Sequence, residues 1–133
     1  MDDGKVKKIV ESLERASKHI IKASEKTVED EDFHLSIWHG AAEAEYAAFI
    51  LSIYGQLHNF YPEIRHTSNK ESSTDDYNGR LSEARCLLSK AIELLGSDSK
   101  SAYENVRSAI FILRNIENKF GKDRFIRFSA GKS

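Results

Sequence analysis

The chain has 133 residues, enough for one domain with a sizeable core, and its 40% hydrophobic and 31% charged content excludes global disorder. Twenty basic against twenty-one acidic residues leave a net charge of −1, so no overall field draws the chain to nucleic acid or an anionic membrane; any such attraction has to be local. The lone cysteine, Cys86, excludes an internal disulfide and a multi-cysteine zinc site.

The N-terminal MDDGKVKKIVESLERASKHI is too charged for a secretory leader. It reads instead as a helix over about residues 4–26, in which Val6, Ile9, Leu13, Ala16, Ile20 and Ala23 form a narrow seam at three–four spacing. A second helix is expected over 31–60, with Thr27 and Asp30 as a capping box and Glu29 to Asp32 near the positive end of its dipole. No Gly or Pro separates these two segments, which leaves a bent continuous helix open. Residues 61–78 lose the period, contain Pro62, the chain's one proline, and are rich in Ser, Thr, Asn and Asp, as in a long loop. A third helix over 79–95 carries the seam Leu81, Ala84, Leu88, Ala91 and Leu95, with Gly96 expected as a left-handed C-cap. Ser97 or Asp98 then caps a fourth helix over 98–120, whose seam is Ala102, Val106, Ala109, Leu113, Ile116 and Phe120. The fold expected is all-α: a four-helix up-down bundle as a single domain over 1–121, followed by a short extended basic and aromatic tail, 122–133.

The second helix is unusual. A helix turns about 100° per residue, so Glu43 and Glu45 point roughly 200° apart and cannot share a site. Glu43 aligns with Ser36, His39 and Gly40, and Glu45 with Trp38, Ser52 and Gln56, giving two narrow polar strips on nearly opposite sides of an apolar cylinder. A surface helix of a monomeric bundle needs one apolar side. The second side is expected to meet another subunit, most simply in a two-fold dimer, with Trp38, Ala41, Ala44, Ala48, Phe49 and Tyr54 at the contact. The bundle's own other three helices covering both sides is the alternative. Glu43 and Glu45 also interrupt the one stretch that approaches the roughly 20 apolar residues of a membrane span, so no membrane partner is expected and the chain reads as cytoplasmic.

His39 and Glu43, four apart, are expected to form a charge-assisted structural pair. Glu31 and His34 make a single Glu-x-x-His, whereas carboxylate-bridged di-metal bundles need that motif twice, so neither metal nor cofactor is expected. The tail interleaves Lys119, Lys122, Arg124 and Arg127 with Phe125 and Phe128, a composition that suits phosphate neutralisation and base stacking. The terminal AGKS lacks both the preceding glycine and the following helix of a phosphate-binding loop. Arg114-Asn115 resembles the start of the signature of HEPN ribonuclease domains, which are helical bundles of similar size. FILRNIENKFGKD holds no histidine to complete it, so no role passes to these residues. No nucleophile and base stand at catalytic spacing, and Cys86 beside Arg85 among leucines reads as an inert thiol. The function expected is a non-enzymatic interaction or adaptor module, homodimeric and docking a further protein through its loop or tail. A nucleic-acid-binding module using the tail is the alternative.

Overall fold

The structure, a computed structural model, describes residues 3–57 and 77–130, with side chains described as far as Lys119. Four helices carry these residues: α1 Asp3–Ser24, α2 Glu31–Tyr54, α3 Tyr77–Leu94 and α4 Ser99–Ala130. The expected seams form the core almost residue for residue. Ile9, Leu13, Ala16, Ile20 and Ala23 of α1 are buried, as are Leu81, Ala84, Leu88 and Ala91 of α3 with Leu95 just after it, and Ala102, Val106, Ala109, Leu113 and Ile116 of α4. None of the helices, over the described residues, is long and apolar enough to cross a membrane.

Packing contacts join α1 to α2, α2 to α4, α4 to α3 and α3 to α1, which places the helices at the corners of a square in that order. Ring contacts set their directions. The Lys5 ammonium lies 4.5 Å from the Tyr54 ring, so the start of α1 meets the end of α2. Phe33 and Tyr77 lie 6.3 Å apart, centroid to centroid, so α2 and α3 start at the same end. The Lys119 ammonium lies 5.8 Å from the same Tyr77 ring, late in α4. Every packed pair is therefore antiparallel, as in an up-down bundle. Across the diagonal α2 and α3 run the same way, with Leu57 and Tyr77 at opposite ends of the molecule.

Local chemistry explains where the helices stop and where the boundaries depart from expectation. The chain breaks between α1 and α2. Asp30, not Thr27, is the N-cap: its backbone is extended and its carboxylate accepts from the Asp32 amide at 2.9 Å, while the Thr27 carbonyl takes the Asp30 amide at 3.0 Å. Helix α2 ends at Tyr54 rather than near residue 60. Gln56 turns left-handed (φ 56°), the Leu57 amide reaches the Ser52 carbonyl at 2.9 Å and the Gln56 amide reaches Ile53 at 3.3 Å. That is a Schellman closure with Leu57 buried beneath it. Gly96 is not left-handed as expected; the turn after α3 closes instead through the Ser97 and Asp98 amides on the Leu94 carbonyl, at 3.1 and 2.8 Å. Asp98 then caps α4, accepting from the Ser101 amide at 3.1 Å and the Ser101 hydroxyl at 2.7 Å. The loop expected at 61–78 lies outside the described residues, apart from Tyr77 and Asn78, which open α3.

The tail is also corrected: α4 stays helical to Ala130 instead of becoming extended at residue 122. Once a helix is nucleated, each added residue costs little, and one glycine, Gly121, adds a penalty of only about 1 kcal/mol.

The inner face of α2 is built of small residues. Gly40, Ala41, Ala44, Ala47 and Ala48 are all buried, with Ile37 and Leu51 supplying bulk. This allows α1 a close approach: a Cβ added to Gly40 would lie 3.4 Å from the Ala16 carbonyl oxygen, an ordinary contact. Gly40→Ala is therefore expected to raise stability by about 0.5–1 kcal/mol, the usual gain from replacing a helix-interior glycine. Urea unfolding followed by circular dichroism measures it.

Candidate interaction face on helix α2

Among the described residues, the exposed large hydrophobic side chains are Leu35, Trp38, Tyr46, Phe49, Ile53 and Tyr54, and all of them belong to α2. Leu35 and Ile53 stand 18 residues apart, five full turns at 3.6 residues each. Trp38, Ala42, Tyr46 and Phe49 fall between them within a narrow arc of the helical wheel, forming one straight apolar stripe. Phe49, at 62% exposure, is the most open of these. Tyr54 sits beside the end of the stripe, on the α1 side, beneath Lys5.

The two glutamates frame this stripe. Glu43 points to α1 and pairs with the Arg15 guanidinium, which also donates to the buried Ser12 hydroxyl at 3.1 Å. Glu45 points to α4 and accepts from Arg114 Nε at 2.7 Å, while Arg114 Nη1 reaches Glu117 at 2.5 Å. Their carboxylate partners raise the pKa of both guanidiniums, so both stay charged. Exposed ion pairs stabilise a fold very little. Their effect here is to neutralise each flank, leaving an uncharged apolar strip with a polar rim on either side, the anatomy of a protein–protein contact.

The residues expected at an interface divide. Trp38, Phe49 and Tyr54 are exposed, whereas Ala41, Ala44 and Ala48 are covered within the single chain and have no surface to offer a partner. The neighbouring backbone that their small size admits is that of the same chain. Leu35, Tyr46 and Ile53 were not among the expected contact residues, although their 3.6-residue spacing with Trp38 and Phe49 is visible in the sequence. The expected His39–Glu43 pair is replaced: Glu43 turns to Arg15, and His39 stacks on His19 of α1 with centroids 5.2 Å apart, its edge against Trp38 at 5.1 Å. A guanidinium reaching across from α1 offers a carboxylate better hydrogen-bond geometry than an imidazole one turn away on the same helix. A ring nitrogen of His34 donates to the Val28 carbonyl at 3.0 Å, which ties the start of α2 to the α1–α2 turn.

Burial lowers the pKa of His19, and the nearby His39, Lys22 and Arg15 lower it further against the opposing pull of Glu43. The unfolded chain takes up this proton near pH 6.5, the folded chain only at lower pH. Between those points the native state binds fewer protons, so stability falls as pH drops through this window and levels off once folded His19 is itself protonated. His19→Gln is expected to flatten that part of the stability–pH curve, measured by urea unfolding from pH 7.5 to 5 (a range chosen to bracket the histidine transition).

Of the residues expected to bind nucleic acid, Lys119 lies near the Tyr77 ring. Lys122, Arg124, Phe125, Arg127 and Phe128 stand on the last turns of α4, and their side chains fall outside the described set. A separate open groove of about 720 Å³ runs between α3 and α4, where Leu87, Leu94 and Ile112 mix with Glu83, Lys90 and Glu104. Its mixed charges carry no convergent chemistry, whereas the α2 stripe offers one thing: desolvation of a continuous apolar surface. No family model matches the chain, and no curated protein or solved structure matches it.

Proposed function

We propose that this protein is a non-enzymatic interaction module that works as a homodimer joined through the outer face of α2. The observation that carries this reading is the gathering of all six exposed large hydrophobic residues of the described chain onto that one helix. Scattered apolar residues on a surface are ordinary, but a contiguous stripe is not. Its flanks support the same reading. Glu43 and Glu45 are already neutralised from within the chain, so the strip asks for an uncharged apolar partner rather than a cationic or anionic one.

Light scattering on the full chain tests the reading. Twice the subunit mass is expected at micromolar concentration, falling to one subunit when Phe49 is changed to aspartate. A parent chain with the mass of a single subunit would refute it.

A further inference from the structure

We infer that the two copies lie antiparallel, α2 against α2, about a two-fold axis at the level of Ala44. This rests on the homodimer reading and adds to it the identity of the opposing residues.

Size comes first. Aromatic side chains present on the order of 150–250 Å² each when fully accessible, so six large residues near half exposure leave roughly 600 Å² of apolar surface. A stable contact covers about 800 Å² on each partner. The stripe with Ala42 and His39 supplies most of that area on a single helix of 24 residues, and the arginine rims of α1 and α4 border it, so a second α2 is an occupant of matching length and width.

Shape then selects the direction. Symmetry about residue 44 sets Leu35 against Ile53 of the second copy, His39 against Phe49 and Ala42 against Tyr46, with Trp38 diagonally beside Phe49. The smallest residue of the stripe thus meets a large ring, the aliphatic ends meet each other and Phe49 meets the smaller His39 ring, which evens the thickness of the contact. A parallel pair would stack Tyr46 on Tyr46 and Phe49 on Phe49 while leaving Ala42 facing Ala42, giving ridges beside a void. Helix dipoles also favour antiparallel neighbours.

Charge agrees with shape. The antiparallel two-fold keeps the α1 side of one copy on the α1 side of the other. Each Arg15–Glu43 pair then lies beside its symmetry mate close to the axis, where the four groups can exchange partners without leaving a charge unpaired. Arg114 and Glu45 do the same on the α4 side.

Single cysteines placed on the stripe decide the orientation. Cys86, the chain's one cysteine, is exposed on α3 and is first removed as Cys86→Ser. In that background, chains carrying Leu35→Cys and chains carrying Ile53→Cys are co-expressed and treated with a short bis-maleimide. The expected result is a crosslinked dimer from the mixture and none from either chain expressed alone. In the antiparallel pair, two copies of position 35 sit at opposite ends, about 27 Å apart at 1.5 Å per residue. Crosslinking of the Leu35→Cys chain to itself would overturn the antiparallel order while leaving the dimer intact. So would a dimer in which no combination crosslinks. A parent chain that is monomeric by light scattering overturns both the pairing and the reading beneath it. Both substituted positions are about half exposed in the protomer, so helical content measured by circular dichroism should be unchanged in every variant.

Discussion

Changing Phe49 to aspartate is expected to weaken self-association at least about a hundredfold, because truncating a central aromatic anchor alone costs on the order of 2 kcal/mol or more. The new carboxylate adds to that loss, since it would be desolvated beside Trp38 and the other apolar residues of the contact. Two-fold symmetry places the change in the contact twice, so both costs are doubled. Within one protomer the same substitution is nearly silent. Phe49 is 62% exposed and supports nothing in the core, so helix content and unfolding midpoint at monomeric concentrations should match those of the parent. Sedimentation equilibrium over a concentration series, paired with thermal unfolding, reads both effects. Loss of the fold together with the dimer would show that Phe49 is structural and would count against the α2 face as a contact surface.

Five residues earlier on the same helix, Ala44→Glu is expected to do the reverse and unfold the bundle. Ala44 is fully buried on the side of α2 facing the core, where Ala41, Ala47 and Ala48 are buried with it. Overpacking a tight site costs about 1–3 kcal/mol. An unpaired buried carboxylate costs several kcal/mol more. Together these consume most of the roughly 5–15 kcal/mol that holds a domain of this size together. Far-ultraviolet circular dichroism should show the helical signal largely lost, and a chain that stays folded and merely becomes monomeric would place Ala44 at the subunit contact after all. The two substitutions separate the inner side of α2 from the outer.

How much of this was legible beforehand follows from what periodicity can say. The seams of α1, α3 and α4 face inward because an apolar residue every three or four positions has only one place to go in a bundle. The 200° between Glu43 and Glu45 was equally readable, and the structure gives each its own neighbour, Arg15 of α1 and Arg114 of α4. Periodicity identifies a face but not what lies against it. Ala41, Ala44 and Ala48 signal that a backbone comes close, and the same residues would serve a partner's helix or the chain's own; their burial within the single chain shows that here it is the chain's own. The glycine signals failed for a related reason. Gly96 invites a left-handed cap that the Leu94 carbonyl makes unnecessary, while Gln56, with nothing in its identity to mark it, takes the left-handed position after α2. His39 could not be read from its neighbour Glu43, because Arg15, a better partner, lies 28 residues away in sequence.

The parallel course of α2 and α3 across the diagonal also shapes how the molecule assembles. Helices α1 with α2, and α3 with α4, are joined by short turns and make mostly near-neighbour contacts, so each pair can close as a hairpin early and quickly. The contacts of α2 with α4 and of α1 with α3 join residues far apart in sequence and must wait for those two halves to find each other. Docking of one hairpin onto the other is thus the step expected to come last.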